Sequence, residues 1–147
     1  MKKIKILVVG LGYVGLSNAL LLAQKNRVTA VAIDTDKVKL INEKKSPLYD
    51  QEMDSFLANE TLDLKVAIPS DEFFEYSDIA LISTPTNYDE NTNCFNTDSV
   101  EETIKNALSK NPKIIIIIRS TVPVGFTNKM IEKYQTNDIY FVPEFLR

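Results

Sequence analysis

Short apolar runs alternate along the chain with stretches in which apolar residues recur at helical spacing. The apolar runs occupy residues 4–9, 28–33, 64–68, 79–83, 114–118 and 139–142, and their composition is typical of β-strands. The helical patterns occupy residues 13–24, 37–44, 51–59, 99–109 and 127–134. Strands that alternate with helices form right-handed βαβ units, so the pattern predicts an α/β fold on a mainly parallel sheet of about six strands.

Two segments add detail to this pattern. Residues 114–118 are five consecutive isoleucines, and a strand that is apolar at every position is typically buried on both faces. We therefore expect a doubly wound sheet with helices on both faces. The polar segment "NYDENTNCFNTDS", residues 87–99, either covers a ligand or is an ordinary solvated connection whose Asp98 or Ser99 caps the next helix.

Composition narrows the classes of protein and of site. The 147 residues suffice for about one domain, and the net charge of −3 provides no basic surface for nucleic acid or an anionic membrane. Lys5 interrupts the first apolar run, and no run approaches the roughly 18 residues of a membrane span, so we expect a cytoplasmic protein. The chain has no histidine and one cysteine, Cys94, which excludes an intrachain disulfide, a cysteine–histidine zinc site and a histidine-based triad. We expect no metal centre, and we expect Cys94 to be a solvent-facing or semi-buried thiol rather than a nucleophile.

Three of the four glycines lie within six residues, between the first strand and the first helix. Gly10, Gly12 and Gly15 form the pattern G-x-G-x-x-G, which binds the pyrophosphate of a dinucleotide. Gly10 allows the tight turn out of the strand, Gly12 leaves room for the pyrophosphate, and Gly15 lets the helix pack closely. The free N–H groups at the start of the helix provide a site for the phosphates.

An acidic residue ends the second strand, 19 positions beyond Gly15. Asp34 can accept hydrogen bonds from the ribose hydroxyls and repel a 2′-phosphate, which favours NAD over NADP. The alternative is that Asp34 only caps the following helix and that the glycines form a turn that binds nothing. Lys37 is a candidate cofactor ligand that weakens this preference, because it could pair with a phosphate.

Polar side chains also follow the later strands. Four hydroxyls and one carboxylate are predicted at the carboxyl edge of the sheet, where ligands bind in open α/β folds: Thr84, Thr86, Ser120, Thr121 and Glu144. The alternative is ordinary turn chemistry, since threonine and proline are common in loops.

Four segments, "GLGYVGL", "STPTNYD", "STVPVGFT" and "PEFLR", together resemble the UDP-glucose 6-dehydrogenase family, in the family's order and through nearly the whole chain. The UDP-N-acetylmannosamine and GDP-mannose dehydrogenases share the general plan, and "STPTNYD" and "PEFLR" favour the UDP-glucose branch. The resemblance implies a Rossmann-type NAD-binding domain. It also implies a four-electron oxidation of UDP-glucose at C6, from alcohol to carboxylate, with reduction of two NAD+ and with a thioester carried by a cysteine of a second domain.

The resemblance also assigns roles to individual residues. It implies that the pyrophosphate loop comprises Gly10, Gly12, Tyr13, Val14 and Gly15, with Asp34 at the ribose and Thr86 near the nicotinamide. It implies that the catalytic water is held by Thr121 and Glu144. It further implies that the sugar-nucleotide site is lined by Glu144, Phe145, Leu146 and Arg147.

The sequence departs from the family pattern in three ways. The segment from Asp34 to Asn42 is about two residues short, which affects the placement of Lys37, and Lys44 stands where the family commonly has a glycine. The family's nucleophilic cysteine, lysine and asparagine have no counterpart in residues 1–147. We therefore expect residues 1–147 to be the NAD-binding domain of a longer enzyme, usually a homodimer or larger, and to be inactive alone. A related nucleotide-sugar dehydrogenase and a stand-alone, non-catalytic nucleotide-binding module are the alternatives.

Overall fold

The computed structural model describes residues 3–59 and 61–144. Its central element is a six-stranded sheet. The strands of this sheet are β1 (Lys5–Val9), β2 (Arg27–Val31), β3 (Leu64–Ala67), β4 (Ile79–Ile82), β7 (Ile115–Ile118) and β8 (Ile139–Phe141). A two-stranded hairpin lies outside it, formed by β5 (Tyr88–Asp89) and β6 (Cys94–Phe95). The helices are α1 (Tyr13–Ala23), α2 (Thr35–Asn42), α3 (Gln51–Asn59), α4 (Asp71–Glu75), α5 (Asp98–Lys110) and α6 (Phe126–Tyr134).

The strand order is β3-β2-β1-β4-β7-β8, and every neighbouring pair is parallel. The chain builds outward from β1 to β3, crosses back to β4, and then builds outward on the other side. The order therefore reverses between β1 and β4, and in open α/β sheets ligands bind outside the carboxyl ends of the strands at such a reversal. The predicted α/β fold, with its parallel sheet of six strands, is confirmed.

Helices pack on both faces of the sheet, as predicted. On one face, apolar side chains of α1, α2 and α3 pack against β1, β2, β3 and β4. On the other face, α4, α5 and α6 pack over a second core that includes β7 and β8. Each core holds a dozen or more buried apolar residues, so the sheet has two separately filled layers.

The isoleucine run is buried less evenly than predicted. Ile114, Ile116 and Ile118 are fully buried beneath α5 and α6, whereas Ile115 is 37% exposed and Ile117 is half-buried. The prediction of burial on both faces is therefore wrong for this strand. The reason is that the helices of the α1 face pack mainly on β1, β2 and β3, which leaves that side of β7 partly open.

The sequence pattern did not predict two of the observed elements. The short helix α4 and the β5–β6 hairpin lie in segments without a long periodic pattern.

After α2, Lys44 adopts a left-handed φ of 61°, and the N–H groups of Lys44 and Lys45 donate to the carbonyls of Ile41 and Leu40. This closure favours glycine at the left-handed position, which is where the family commonly has one.

Within residues 3–59 and 61–144, no helix has the length and apolar character needed to cross a bilayer.

Candidate cofactor-binding site

The turn that follows β1 requires glycine at two positions for reasons of packing. Gly10 has a φ of 94° and donates its N–H to the carbonyl of Val31, and a Cβ on Gly10 would lie 2.5 Å from the backbone oxygen of Ser83. A Cβ on Gly15 would overlap the carbonyl of Gly10. The loop, the first turn of α1 and the end of β4 are thus packed backbone against backbone.

Gly12 differs from these two glycines. No heavy atom would lie within 4 Å of a Cβ placed on it, and its φ of −80° is open to any residue. The protein's own packing does not require a glycine here. Open space beside the start of a helix is what an approaching pyrophosphate needs, so Gly12 fits the role predicted for it.

The N-terminus of α1 can receive an anion. Gly12 offers no side-chain cap, and the first turn carries no acidic residue, so the free N–H groups of the 11-residue helix are not neutralised locally. Tyr13 is half-exposed and Val14 is partly buried beside this turn. The cradle formed by Gly12 and the start of α1 therefore fits the pyrophosphate of a dinucleotide.

Asp34 is exposed after β2 and caps α2. Its Oδ1 accepts from the backbone N–H groups of Asp36 at 3.0 Å and Lys37 at 3.1 Å. Asp34 therefore caps α2, as the alternative interpretation predicts. The cap uses only Oδ1 and holds the carboxylate in place. The other oxygen has no donor within the described part of the chain. Capping and ribose binding are compatible.

Two of the predicted hydroxyls join neighbouring loops. Ser120 is 6% exposed and donates its Oγ–H to the carbonyl of Thr84 at 2.7 Å, while Thr84 Oγ1 accepts from Ser99 Oγ at 3.0 Å. These contacts tie the end of β4 to the end of β7 and to α5. In the described residues, the hydroxyls of Ser120 and Thr84 therefore bond to distant parts of the protein, and whether they also contact a ligand stays a prediction.

The other two hydroxyls are available to a ligand. Thr86 is partly buried and Thr121 is exposed, and neither side chain has a hydrogen-bond partner among the residues described. Thr86 follows β4 and Thr121 follows β7, both at the carboxyl edge of the sheet. Ser83, at the end of β4, adds a buried Oγ that has no partner within the described ranges.

Glu144 is held by two residues that none of the sequence motifs predicts. Its Oε2 forms an ion pair with the guanidinium of Arg119, which follows β7, and accepts from Asn18 Nδ2 on α1 at 3.0 Å. The structure shows no hydrogen bond between Thr121 and Glu144 among the residues it describes. Two features of the sequence point to these residues. Arg119 is a cation directly after the isoleucine strand, and Asn18 is a polar residue within the apolar pattern of α1.

The remaining candidates are only partly covered. Phe145, Leu146 and Arg147, predicted to line the sugar-nucleotide site, lie outside the described residues. Within the polar segment 87–99, residues 88–95 form the β5–β6 hairpin, in which Tyr88 packs edge-on against Phe95 and Cys94 is exposed, and Asp98 and Ser99 are the first residues of α5. The backbone N–H of Asn91 holds the pKa of Asp89 below its ordinary value, so the turn is organised by its own hydrogen bonds.

Comparison with known proteins identifies the family. Residues 4–147 match the model of the UDP-glucose/GDP-mannose dehydrogenase family, NAD binding domain. The chain is 43% identical over 143 residues to a UDP-glucose 6-dehydrogenase of Streptococcus pneumoniae and 41% identical over 145 residues to one of Campylobacter jejuni, covering 97% of this chain in both cases. It covers 36% and 37% of those proteins, so it spans little more than a third of their length.

The fold agrees with this assignment. A UDP-glucose dehydrogenase from Pyrobaculum islandicum superposes with a TM-score of 0.83 at 21% identity, covering 99% of this chain and 37% of that structure. With its glycine loop, its open position at Gly12 and its exposed acid after β2, the chain belongs to the UDP-glucose/GDP-mannose dehydrogenase family, of which it is the NAD-binding domain.

Proposed function

We propose that this domain serves an enzyme that oxidises UDP-glucose to UDP-glucuronate at C6, with NAD+ as the hydride acceptor. The observation that carries the proposal is the identity of 43% and 41%, over 97% of the chain, to two UDP-glucose 6-dehydrogenases. The open position at Gly12 beside an uncapped helix supports the cofactor side of this activity. Two NAD+ are consumed for each alcohol converted to a carboxylate.

The cofactor is bound through the first half of the sheet. The N–H groups at the start of α1 donate to the pyrophosphate over Gly12. The free oxygen of the Asp34 carboxylate accepts from the ribose hydroxyls, while the oxygen that caps α2 prevents the carboxylate from rotating away. A fixed negative charge at this point selects NAD over NADP.

The chemistry takes place at the ends of β4, β7 and β8. Bound NAD+ supplies an acceptor for the hydride that leaves C6. Thr121 and Glu144 hold a water that serves either as general base, passing the proton of the C6 hydroxyl on to the Glu144 carboxylate, or as the nucleophile on the thioester, where the new C–O bond replaces the C–S bond and the cysteine thiolate leaves. Thr86 lies on the nicotinamide side. Glu144 and residues 145–147 contribute to the sugar-nucleotide site. A positioned acid–base group of this kind contributes roughly 10²- to 10⁴-fold in rate.

The proposal is tested on the intact protein that contains this domain. We expect UDP-glucose to be converted to UDP-glucuronate with formation of two NADH per molecule of product, measured by mass spectrometry and NADH absorbance. UDP-N-acetylmannosamine and GDP-mannose serve as competing substrates in the same assay. A higher kcat/KM for either of them would contradict the proposed substrate, and NAD binding without turnover of any nucleotide sugar would favour a non-catalytic module.

We also propose that the intact enzyme is cytoplasmic and forms homodimers or larger assemblies. NAD+ and nucleotide sugars are both available in the cytoplasm. Light scattering on the intact protein measures its assembly, and a monomeric mass would contradict that part of the proposal.

A further inference from the structure

Two side chains to which the proposed function gives no role hold the Glu144 carboxylate. Arg119 and Asn18, which we call the Glu144 clamp, both donate to the same carboxylate oxygen, Oε2. Arg119 is an unusual residue for this location, because its side chain is only 13% exposed and a buried guanidinium needs a counter-charge. Glu144 is the one carboxylate that pairs with it within the described residues.

Both donors of the Glu144 clamp stand on fixed elements. The N–H of Arg119 donates to the carbonyl of Ile82 at 2.8 Å, so the residue is anchored where β7 ends beside β4. Asn18 lies in the second turn of α1, and its Nδ2 also donates to the carbonyl of Val14 at 2.7 Å. These anchors place the two donors on the sheet and on the helix that begins at the cofactor cradle.

Glu144, in contrast, lies in the segment that follows β8. The N–H of Val142 still donates to the carbonyl of Ile118 at 3.0 Å, but Pro143 has no N–H to continue the ladder. The position of the Glu144 carboxylate therefore depends on its side-chain contacts. Those contacts occupy Oε2 and leave Oε1 without a donor among the residues that the structure describes.

We propose that Arg119 and Asn18 are positioning residues, which hold Glu144 by Oε2 so that Oε1 accepts from the catalytic water. This inference rests on the proposed function, in which Glu144 and Thr121 hold that water. The Glu144 clamp also places the carboxylate against the guanidinium of Arg119, whose buried charge it balances. The clamp connects the cofactor helix, the sheet and the catalytic carboxylate through direct contacts.

The competing explanation is a structural one, in which the ion pair only fastens residues 142–144 to α1. The two explanations differ in how substitutions combine. If Arg119 acts through Glu144, its loss should have no further effect on kcat once Glu144 has been replaced. If the pair is only structural, the effects on kcat should follow the loss of stability and should multiply.

The experiment measures kcat, KM and melting temperature of the intact enzyme for five variants. They are Arg119→Met, Arg119→Lys, Asn18→Ala, Glu144→Gln and the double variant Arg119→Met/Glu144→Gln. We expect Arg119→Met to lower kcat roughly 10- to 100-fold with KM for NAD+ within about twofold, since a misplaced catalytic group costs about that much. Arg119→Lys should recover part of the loss, and the double variant should match Glu144→Gln.

Asn18→Ala keeps the test decisive if Arg119→Met does not fold, and we expect it to lower kcat roughly 3- to 10-fold. Its matched control is Asn26→Ala, which removes a similar side-chain bond, to the carbonyl of Leu22, at the other end of α1. Normal kcat in Arg119→Met and Asn18→Ala, or losses that multiply in the double variant, would overturn the inference while leaving the proposed function intact. Absence of nucleotide-sugar oxidation by the wild-type enzyme would instead refute the proposed function, and the positioning role with it.

Discussion

At the scale of single residues, the glycines of the loop serve two different requirements, close packing of the backbone and space for a ligand, which the sequence motif does not distinguish. Gly10 and Gly15 are needed because the protein's own backbone fills the space where a Cβ would lie. Gly12 has no such neighbour in the part of the chain that the structure describes, and the proposed pyrophosphate contact gives this open position a role. Substitution of the three glycines should therefore have different consequences for stability and for binding.

We predict that Gly12→Ala leaves the free energy of unfolding within about 0.5 kcal/mol of the wild type but weakens NAD binding roughly tenfold or more. The physical reason is that the methyl group meets the pyrophosphate rather than the protein. Gly15→Ala, the matched control, should lower the free energy of unfolding by about 3 kcal/mol or more, because its Cβ overlaps the Gly10 carbonyl. Denaturant titration and calorimetry measure both effects. Unchanged NAD affinity in Gly12→Ala would show that the pyrophosphate does not pass over this position.

Asp34 has two tasks that one substitution can separate. We predict that Asp34→Asn retains the cap on α2, since an amide oxygen can accept from the same N–H groups, but loses the negative charge. The preference for NAD over NADP should then fall roughly tenfold. Asp34→Ala should lose the preference and, in addition, about 1 kcal/mol of stability with the cap. Titration of each variant with both cofactors decides the matter, and an unchanged preference in Asp34→Asn would contradict the ribose role.

The motif residues could be predicted because each has a local cause. Gly10, Gly12 and Gly15 are spaced by the geometry of one turn, and Asp34 follows the next strand. Arg119 and Asn18 could not be predicted, because they meet Glu144 only through contacts 25 and 126 residues apart along the chain. A distance of that kind depends on strand order and helix placement, which no local pattern encodes.

At the scale of elements, the isoleucine strand shows the limit of an apolar pattern. A run of five isoleucines predicts a strand, but it does not say whether a helix covers each face. In β7 the two faces differ, since Ile116 is fully buried and Ile115 is 37% exposed. The short helix α4 and the hairpin were missed for a related reason, because five and two residues are too few to show a period.

This difference predicts unequal costs for the same substitution at adjacent positions. Ile116→Ala should lower the free energy of unfolding by about 2–5 kcal/mol, because it opens a cavity beneath α5 and α6. Ile115→Ala should lower it by about 1 kcal/mol or less, because solvent already reaches that side chain. Denaturant unfolding of the 147-residue chain compares the two variants. Equal costs would indicate that the α1 face of β7 is covered in solution.

At the scale of the whole molecule, the sheet order brings the candidate site together. The order reverses between β1 and β4, so the glycine loop after β1 lies beside the end of β4 at the carboxyl edge of the sheet, with the end of β7 next along that edge. The sequence pattern predicted the parallel sheet and therefore predicted that the strand ends share an edge. The side chains that contact each other across that edge are known only from the packed structure, as the hydrogen bond between Asn18 and Glu144 illustrates.

The last prediction concerns the 147-residue chain itself, which we expect to bind NAD but not to oxidise UDP-glucose. The cofactor cradle is built from β1, α1 and β2, so binding requires only contacts within the domain. The relatives are almost three times as long, and the resemblance places the thioester-forming cysteine in a second domain, while Cys94 lies exposed on the hairpin. Calorimetry with NAD+ and mass spectrometry for UDP-glucuronate test the two halves, with Gly12→Ala as the control for specific binding. UDP-glucuronate formed by the purified chain would contradict the prediction, and loss of that activity in Cys94→Ser would then identify Cys94 as the nucleophile.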